Sequence, residues 1–480
     1  MVSVHDGDGG DALGDLARFR GGFYGSLTAR ADALFELTDA LLCTEGPVHT
    51  LVGLSLAPEH RRGHGALYDG LDAGRLDVAR FRGLLAGQPL PRAAGGRLML
   101  AVDVSNWLRP DAATSPDRLF CHTYGRGKGQ AQMIPGWPYS VIAALEPGRS
   151  SWTALLDAVR LGPACDAATV TAAQLRELVE RLIAAGQWQP GDPRILIVAD
   201  AGYDPARLAH ALADLPVEVL ARLRSDRVFA RPAPQKPRSP RVGRPPRHGG
   251  LFRFTDPGTW HTPSVTTSTP TQRYGTAAVT AWDRMHPRLT HRSAWLGHDG
   301  LLPVIEGTLI RLVVEYLPGD RNPKPVWLWT SATDLPACEV DRAWQAFLRR
   351  FDLEHTFRML KQTLGWTCPR LRDPEAGDRW TWLIIAAHTQ LRLARSAASD
   401  LRRPWEKPVT ELRKLTPARV RRGFRNLRAK IAVPARAPKP SRPGPGRPPG
   451  TRNRRHATRH DVGKITKRPT SQASTQTETG

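Results

Sequence analysis

Cysteine is scarce in this chain and forms no motif. Cys43, Cys121, Cys165, Cys338 and Cys368 are scattered over 480 residues with no Cys-x-x-Cys pair. That argues against a disulfide framework and against a thiolate zinc site, and a reducing compartment is expected. Long apolar runs are also missing. The longest, Trp382 to Ala387, is far short of the roughly 20 residues that cross a bilayer and suits a helix core instead. Met1 to Asp11 is acidic and glycine-rich rather than a basic start followed by an apolar stretch, so no signal peptide is expected. No internal repeat is visible.

Positive charge is in excess. The formal net charge is +24, and residues 401–480 hold 22 Lys plus Arg against 4 Asp plus Glu, so +18 of it lies there and only +6 in the first 400 residues. Such a segment suits a polyanion, because Lys and Arg that neutralise phosphates release condensed counterions. A solvated basic tail would have the same composition. The decision therefore rests on the rest of the chain.

Residues 1–92 read as an N-terminal helical domain with a DNA-binding role, with Leu34, Leu37, Leu41 and Leu42 at helical spacing. His60 and His64 are four apart, but no Glu follows His60 and Gly63 weakens a helix; the stretch reads as a surface or DNA-facing loop. Residues 93–230 read as a mixed α/β sheet domain. Leu98 to Val102 is an apolar run ending at Asp103, and Leu119 to His122 and Tyr139 to Leu145 are further strands. A helix follows with Thr171 and Gln174 as its capping box and Gly186 as its stop. Ile195 to Ala199 is an unbroken apolar strand ending at Asp200, as expected of an interior strand covered on both faces. Asp204 and Pro205 cap another helix, and Val217 to Leu223 is one more strand. Residues 231–338 comprise a Pro/Arg-rich linker and a β-rich insertion, and 339–400 return to helices. Residues 401–480 form a basic, Pro/Arg-rich tail, expected to be disordered apart from a short helix at Thr416 and Pro417.

One segment carries the chemistry. Phe347-x2-Arg350-x3-Glu354-x6-Lys361 puts a carboxylate between two cations at helical spacing, a phosphate-handling arrangement. Asp103 and Asp200 supply two more carboxylates at strand ends. Phosphodiester attack is slow because the nucleophile meets an anion and the leaving oxygen must take up charge. A pair of Mg²⁺ ions relieves both difficulties, and Mg²⁺ prefers carboxylate oxygens. Each acidic residue alone would read as a turn, a cap or a solvated helix position. Together they read as a metal site, with Arg350 and Lys361 placed for flanking phosphates.

These residues resemble the DDE transposases of bacterial insertion sequences, in particular the group marked by Tyr-x2-Arg-x3-Glu-x6-Lys around the third acidic residue. Asp103 in Ala-Val-Asp-Val-Ser resembles the first acidic residue of that family, and Asp200 in Val-Ala-Asp-Ala-Gly-Tyr the second. The gaps are 97 residues from Asp103 to Asp200 and 154 from Asp200 to Glu354, the second widened by the insertion. The resemblance covers about residues 97–395. It implies a ribonuclease-H-like mixed sheet, Mg²⁺ with Mn²⁺ as a substitute, double-stranded element ends and target DNA as partners, a homodimer in a synaptic complex, no membrane, and a cytoplasmic, nucleoid-associated location. It implies Asp103, Asp200 and Glu354 as metal ligands and catalytic residues, and Arg350, Lys361 and position 347 as phosphate-binding. Phe347 stands where the pattern has Tyr, keeping the ring without the phenolic donor. In similar enzymes an insertion Trp stacks on a flipped base, which makes Trp260, Trp282 and Trp295 candidates beside ordinary core packing. Gly243-Arg244-Pro245 and Gly446-Arg447-Pro448 look like minor-groove segments, and Gly125-Arg126-Gly127-Lys128-Gly129 reads as a flexible basic loop. A DNA-binding relic without catalysis, or a nuclease of the same fold that does not transpose, would share these features.

Overall fold

Apolar residues at three and four spacing build the N-terminal helices α1 (Asp6–Ser26), α2 (Ala31–Cys43), α3 (Leu51–Ser55), α4 (His64–Ala73) and α5 (Val78–Ala86), with a two-stranded ribbon β1 (Leu27–Ala29) and β2 (Arg75–Leu76) between them. The computed structural model describes residues 6–123, 131–148, 150–164, 166–233, 246–292, 295–317, 322–439 and 456–464. The Gly125 to Gly129 loop and both Gly-Arg-Pro segments lie outside the described residues.

The N-terminal helices do not form a core of their own. Leu16, Phe19 and Phe23 of α1 and Leu34 and Leu41 of α2 belong to the same apolar cluster as Trp382 and Ile384 from the far end of the chain. In the stretch at His60, His60 is buried while Arg61, Gly63 and His64 are exposed, as a surface loop requires. Arg61 pairs with the buried Glu36 of α2 at 2.7 Å, and Arg62 lies 3.4 Å from Glu36 and 3.2 Å from Asp32.

A sheet of strands β3 (Met99–Leu108), β4 (Leu119–Thr123), β5 (Gln132–Leu145), β6 (Thr153–Arg160), β7 (Ile195–Ala199) and β8 (Val217–Leu223) follows, with helices α6 (Ala167–Ala184) and α7 (Pro205–Ala211) as crossovers. The spatial order β6-β5-β3-β7-β8 has β3, β7 and β8 parallel and β5 antiparallel to both β3 and β6. This large mixed sheet is consistent with a ribonuclease-H-like fold. Three details differ from the sequence expectation. Strand β3 continues five residues past Asp103. Strand β6 is an additional strand, hidden because its buried Asp157 interrupts an otherwise apolar pattern; Arg82 and Arg181 neutralise it at 2.8 and 2.6 Å. Helix α6 starts a turn early, because Asp166 rather than Thr171 caps it by accepting the Thr169 N–H.

The insertion is β-rich as expected, but it is part of the sheet. A short ribbon of β9 (Val228–Ala230) and β10 (Leu251–Arg253) precedes β11 (Val265–Thr271), β12 (Gly275–Met285), β13 (Gly307–Val314) and β14 (Val326–Thr330). Those last four run antiparallel in sequence, and β14 pairs with β8, Trp329 opposite Ala221. Trp282 packs in an aromatic cluster with Phe252 and Trp327, and Trp260 stacks on Phe252 at 5.8 Å. Trp295 is buried against His210. These rings serve packing.

Helices α8 (Ala337–Arg349), α9 (Phe351–Arg358) and α10 (Pro374–Leu393) then cover one face of the sheet, and α6 and α7 the other. The expected uniform helix from Val340 to Leu364 is instead broken at Arg350 and widens into a π-helical turn at Met359–Thr363, before Gly365 ends it with φ 70°.

The start of the C-terminal segment is ordered rather than a disordered tail. Helix α11 (Pro417–Arg428) buries Val420, Phe424 and Leu427 in the main core. Its arginines are structural: Arg421 donates to the carbonyls of Leu41 and Gly46 at 2.8 and 2.6 Å, and Arg428 pairs with Asp39 at 3.0 Å. Arg421 thereby satisfies one carbonyl that the C-terminal end of α2 leaves open, that of Leu41, and ties down the loop that follows at Gly46.

Candidate active site

Period-two alternation aims the first two carboxylates at the same place. On β3, Leu100 and Val102 pack towards α6, while Met99, Ala101 and Trp107 pack towards α10. Asp103 shares the second set's parity. On β7, Ile197 and Ala199 face α6 and Leu196 and Val198 face α10, so Asp200, the next residue after the strand, turns the same way. Parallel pairing matches Met99 to Leu196 and Ala101 to Val198, a constant offset of 97. Asp103 and Asp200 have that same offset and therefore stand level on neighbouring strands.

Helix α9 brings the third. Its inner residues Leu353 and Thr356 are buried, and the Thr356 hydroxyl shares a 2.9 Å hydrogen bond with that of Thr153 on β6. The opposite face of the helix carries Glu354, half exposed, towards the aspartates. Arg350, at the junction of α8 and α9, lies among all three. Its guanidinium donates to Asp103 Oδ2 at 2.9 Å and to Glu354 Oε1 at 3.2 Å, and stands 3.9 Å from Asp200 Oδ2. The three acidic residues expected from the sequence are thus brought together. Burial is the main influence on Asp103, pushing its carboxyl up to about 6, while Arg350 opposes the rise. Asp103 Oδ1 also accepts the Val104 N–H at 2.8 Å.

Two side chains behave differently from the expectation of phosphate contact. Phe347 is 2 % exposed and packs in the core, so its ring has no surface to offer DNA; it lies beneath Arg350, 5.9 Å from the guanidinium carbon. Arg350 itself is 3 % exposed and spends its donors on the carboxylates. Lys361 reaches the site through the π turn. Its ammonium donates to the Asn106 carbonyl at 3.0 Å on β3 and lies 5.7 Å from the Trp366 ring, and burial lowers its pKa.

Asn106, Thr153 and Thr356 escaped sequence reasoning. Thr356 had a usable signal, since it lies two residues from Glu354 on the apolar face of the same helix. Tyr203, seen in the sequence only as part of the pattern after the strand, has a buried hydroxyl with no hydrogen-bond partner. Its pKa is raised, first by burial and then by the charges of Asp103 and Asp200.

The donor set suits a hard divalent cation, being three carboxylates, and Asp200 Oδ1 is buried without a partner inside the protein. Among the described residues no three His, Cys, Asp or Glu side chains form a ready-made cage, since the Arg350 guanidinium stands among them. Also among the described residues, no helix is long and apolar enough to cross a membrane.

No curated protein matches the chain. The family model for DDE superfamily endonucleases matches residues 22–288, which takes in β3 with Asp103 and β7 with Asp200 but stops short of α9, so Glu354 joins the pair through the fold. With more than half of its length covered by that match, the chain belongs to the DDE superfamily endonucleases.

Proposed function

We propose that this endonuclease is the transposase of a bacterial insertion sequence, of the group marked by Tyr-x2-Arg-x3-Glu-x6-Lys. The observation that carries the proposal is the convergence of Asp103, Asp200 and Glu354 on one guanidinium, across 251 residues of sequence from first to last. Such a cluster of acids is costly to hold without a cation, and DNA cleavage supplies a reason to hold it. Asp103, Asp200 and Glu354 would hold Mg²⁺, with Mn²⁺ as a substitute. Bound there, the metal would make water a better nucleophile and neutralise charge on the leaving oxygen.

The protein's own groups do the positioning. Two strand-borne aspartates fix one side of the site and α9 fixes the other through Thr356 and Thr153. Lys361, anchored on Asn106 beside Asp103, offers a point charge to a phosphate flanking the scissile bond. Hydrolysis puts a water oxygen on phosphorus and releases the 3′-oxygen, which takes up a proton. In strand transfer that 3′-hydroxyl attacks a target phosphodiester and displaces another 3′-oxygen, with one phosphodiester broken and one formed. Two copies would hold the two inverted ends in one synaptic complex.

The test is Mg²⁺-dependent cleavage and joining of duplexes carrying the inverted repeats that flank the gene. Expected are 3′-hydroxyl ends, their transfer to target DNA, and loss of both in Asp200→Asn. Cutting without joining would leave a nuclease that does not transpose. Binding of ends without cutting under Mg²⁺ or Mn²⁺ would leave a DNA-binding relic.

A further inference from the structure

We infer that Arg350 is an internal counter-ion for the metal site: it assembles the three carboxylates while no metal is bound, and leaves them when a divalent cation enters. The inference rests on the metal role proposed above. Arg350 combines 3 % exposure with ion-pair contact to all three acids. Asp200 Oδ1 is nevertheless buried without a hydrogen-bond partner. The cluster is held, yet one acceptor is kept open in the middle of it.

The surroundings also allow the guanidinium to leave. Arg350 sits at the tight turn that joins α8 to α9, its backbone helical and its N–H on the Phe347 carbonyl three residues back. The Phe351 ring, 4.9 Å from its guanidinium carbon, is 41 % exposed and lies on the outward side. A cation drawn off the carboxylates would keep a ring face for part of its path. Its charge would then be free for a phosphate oxygen of the substrate, the role that its buried position denies it without metal.

The consequence is competition. A metal that must displace Arg350 binds with an apparent affinity reduced by the fraction of molecules in which Arg350 is already out. If that fraction is about one in ten to one in a hundred, removing the guanidinium tightens binding about 10- to 100-fold. It also leaves three acids without their cation, so the metal-free protein loses stability that metal restores.

Calorimetric titration of Mg²⁺ or Mn²⁺ into the full chain, with thermal melts in chelator and in metal, tests this on Arg350→Gln and Arg350→Lys. Expected is at least about tenfold tighter metal binding in Arg350→Gln, an intermediate value in Arg350→Lys, and a larger metal-induced rise in Tm than in wild type. Unchanged or weaker binding by Arg350→Gln, with wild type binding normally, would overturn the counter-ion role and leave the metal site standing. If wild type binds no metal, or binds as well after Asp200→Asn, the metal reading itself fails. Wild type gives a second measurement that needs no variant. Phenylglyoxal labelling read by tandem mass spectrometry should leave Arg350 unmodified in chelator and modify it under saturating Mg²⁺; equal protection in both overturns the inference.

Discussion

Truncation within the basic C-terminal segment should separate packing from charge. Val420, Phe424 and Leu427 are buried by α11, with Leu415 before it and Ile431 after it. Each such side chain contributes about 1.5–3 kcal/mol when buried. Ending the chain at Asp400 removes all five and also leaves the buried Asp39 and Glu59 without Arg428 and Arg425. The loss far exceeds what one surface helix would give, and the shortened chain should be unfolded or aggregated. Ending it at Lys439 instead removes 9 Lys plus Arg against 2 acids. Among the described residues this breaks the bond from the His460 N–H to the Ala113 carbonyl at 2.9 Å and two bonds between Arg118 and the His460–Gly463 stretch, but it uncovers no core side chain. That chain should keep its Tm while its DNA affinity becomes less steeply dependent on salt. A gentler version is Phe424→Ala, which should cost about 3–5 kcal/mol. With an unfolding entropy near 2.1 cal/mol/K per residue over about 400 ordered residues, the expected fall in Tm is about 4–6 °C. Differential scanning calorimetry on the variants decides it. If the chain ending at Asp400 melts like wild type, α11 does not belong to the core and the packing argument is wrong.

Three further outcomes follow from buried polar groups. Asp157→Ala removes the buried partner of Arg82 and Arg181 and leaves both with the exposed Glu177 at 3.7 Å; a loss of about 3 kcal/mol is expected, and a denaturation midpoint within error of wild type would refute the pairing. His388 is fully buried, and burial followed by the charge of Arg392 lowers its pKa to about 3. The unfolded chain therefore binds one more proton than the folded one between pH 6.5 and about 3, so stability should fall with decreasing pH by about 1.4 kcal/mol per unit in that window. His388→Leu should remove one proton from that slope in melts recorded across pH 4–7, roughly the window set by the shift. Thr356→Val leaves the buried Thr153 hydroxyl without its partner and should cost about 1–3 kcal/mol. Because α9 carries Glu354, cleavage should fall more than stability at a temperature where the variant is fully folded; equal cleavage rates would show that this bond does not position the helix.

What could be read from the sequence depended on whether a charge was alone. Strand β7 was legible because five apolar residues precede Asp200 without interruption, and β8 for the same reason. Strand β6 was not, because Asp157 breaks its pattern and the neutralising arginines come from helices on either side in sequence. The 401–439 stretch reads as solvent-exposed for a related reason: composition registers charge but not acceptors, and Arg421 is buried on the carbonyls of Leu41 at the end of α2 and Gly46 just beyond it. At the site, residue types and spacing singled out Asp103, Asp200 and Glu354, which the fold brings around one guanidinium. Spacing alone placed Arg350 and Lys361 on one helical face; Arg350 does meet Glu354 one turn on, whereas Lys361, in the π turn after Arg358, ends on the Asn106 carbonyl.

The sheet's continuation from β8 through β14 to β11 also decides where its vulnerable border lies. Had the sheet stopped at β8, the apolar Val217–Leu223 would present unpaired amides and carbonyls, an invitation to add strands from other molecules. The border falls instead on β11, Val-Thr-Thr-Ser-Thr-Pro-Thr, where exposed Pro270 lacks a donor and the threonines are poor templates for association. Thr267 and Thr269 also fasten that strand to Asp341 of α8 at 2.6 and 2.8 Å. The border is thereby left to a polar strand that resists self-adhesion.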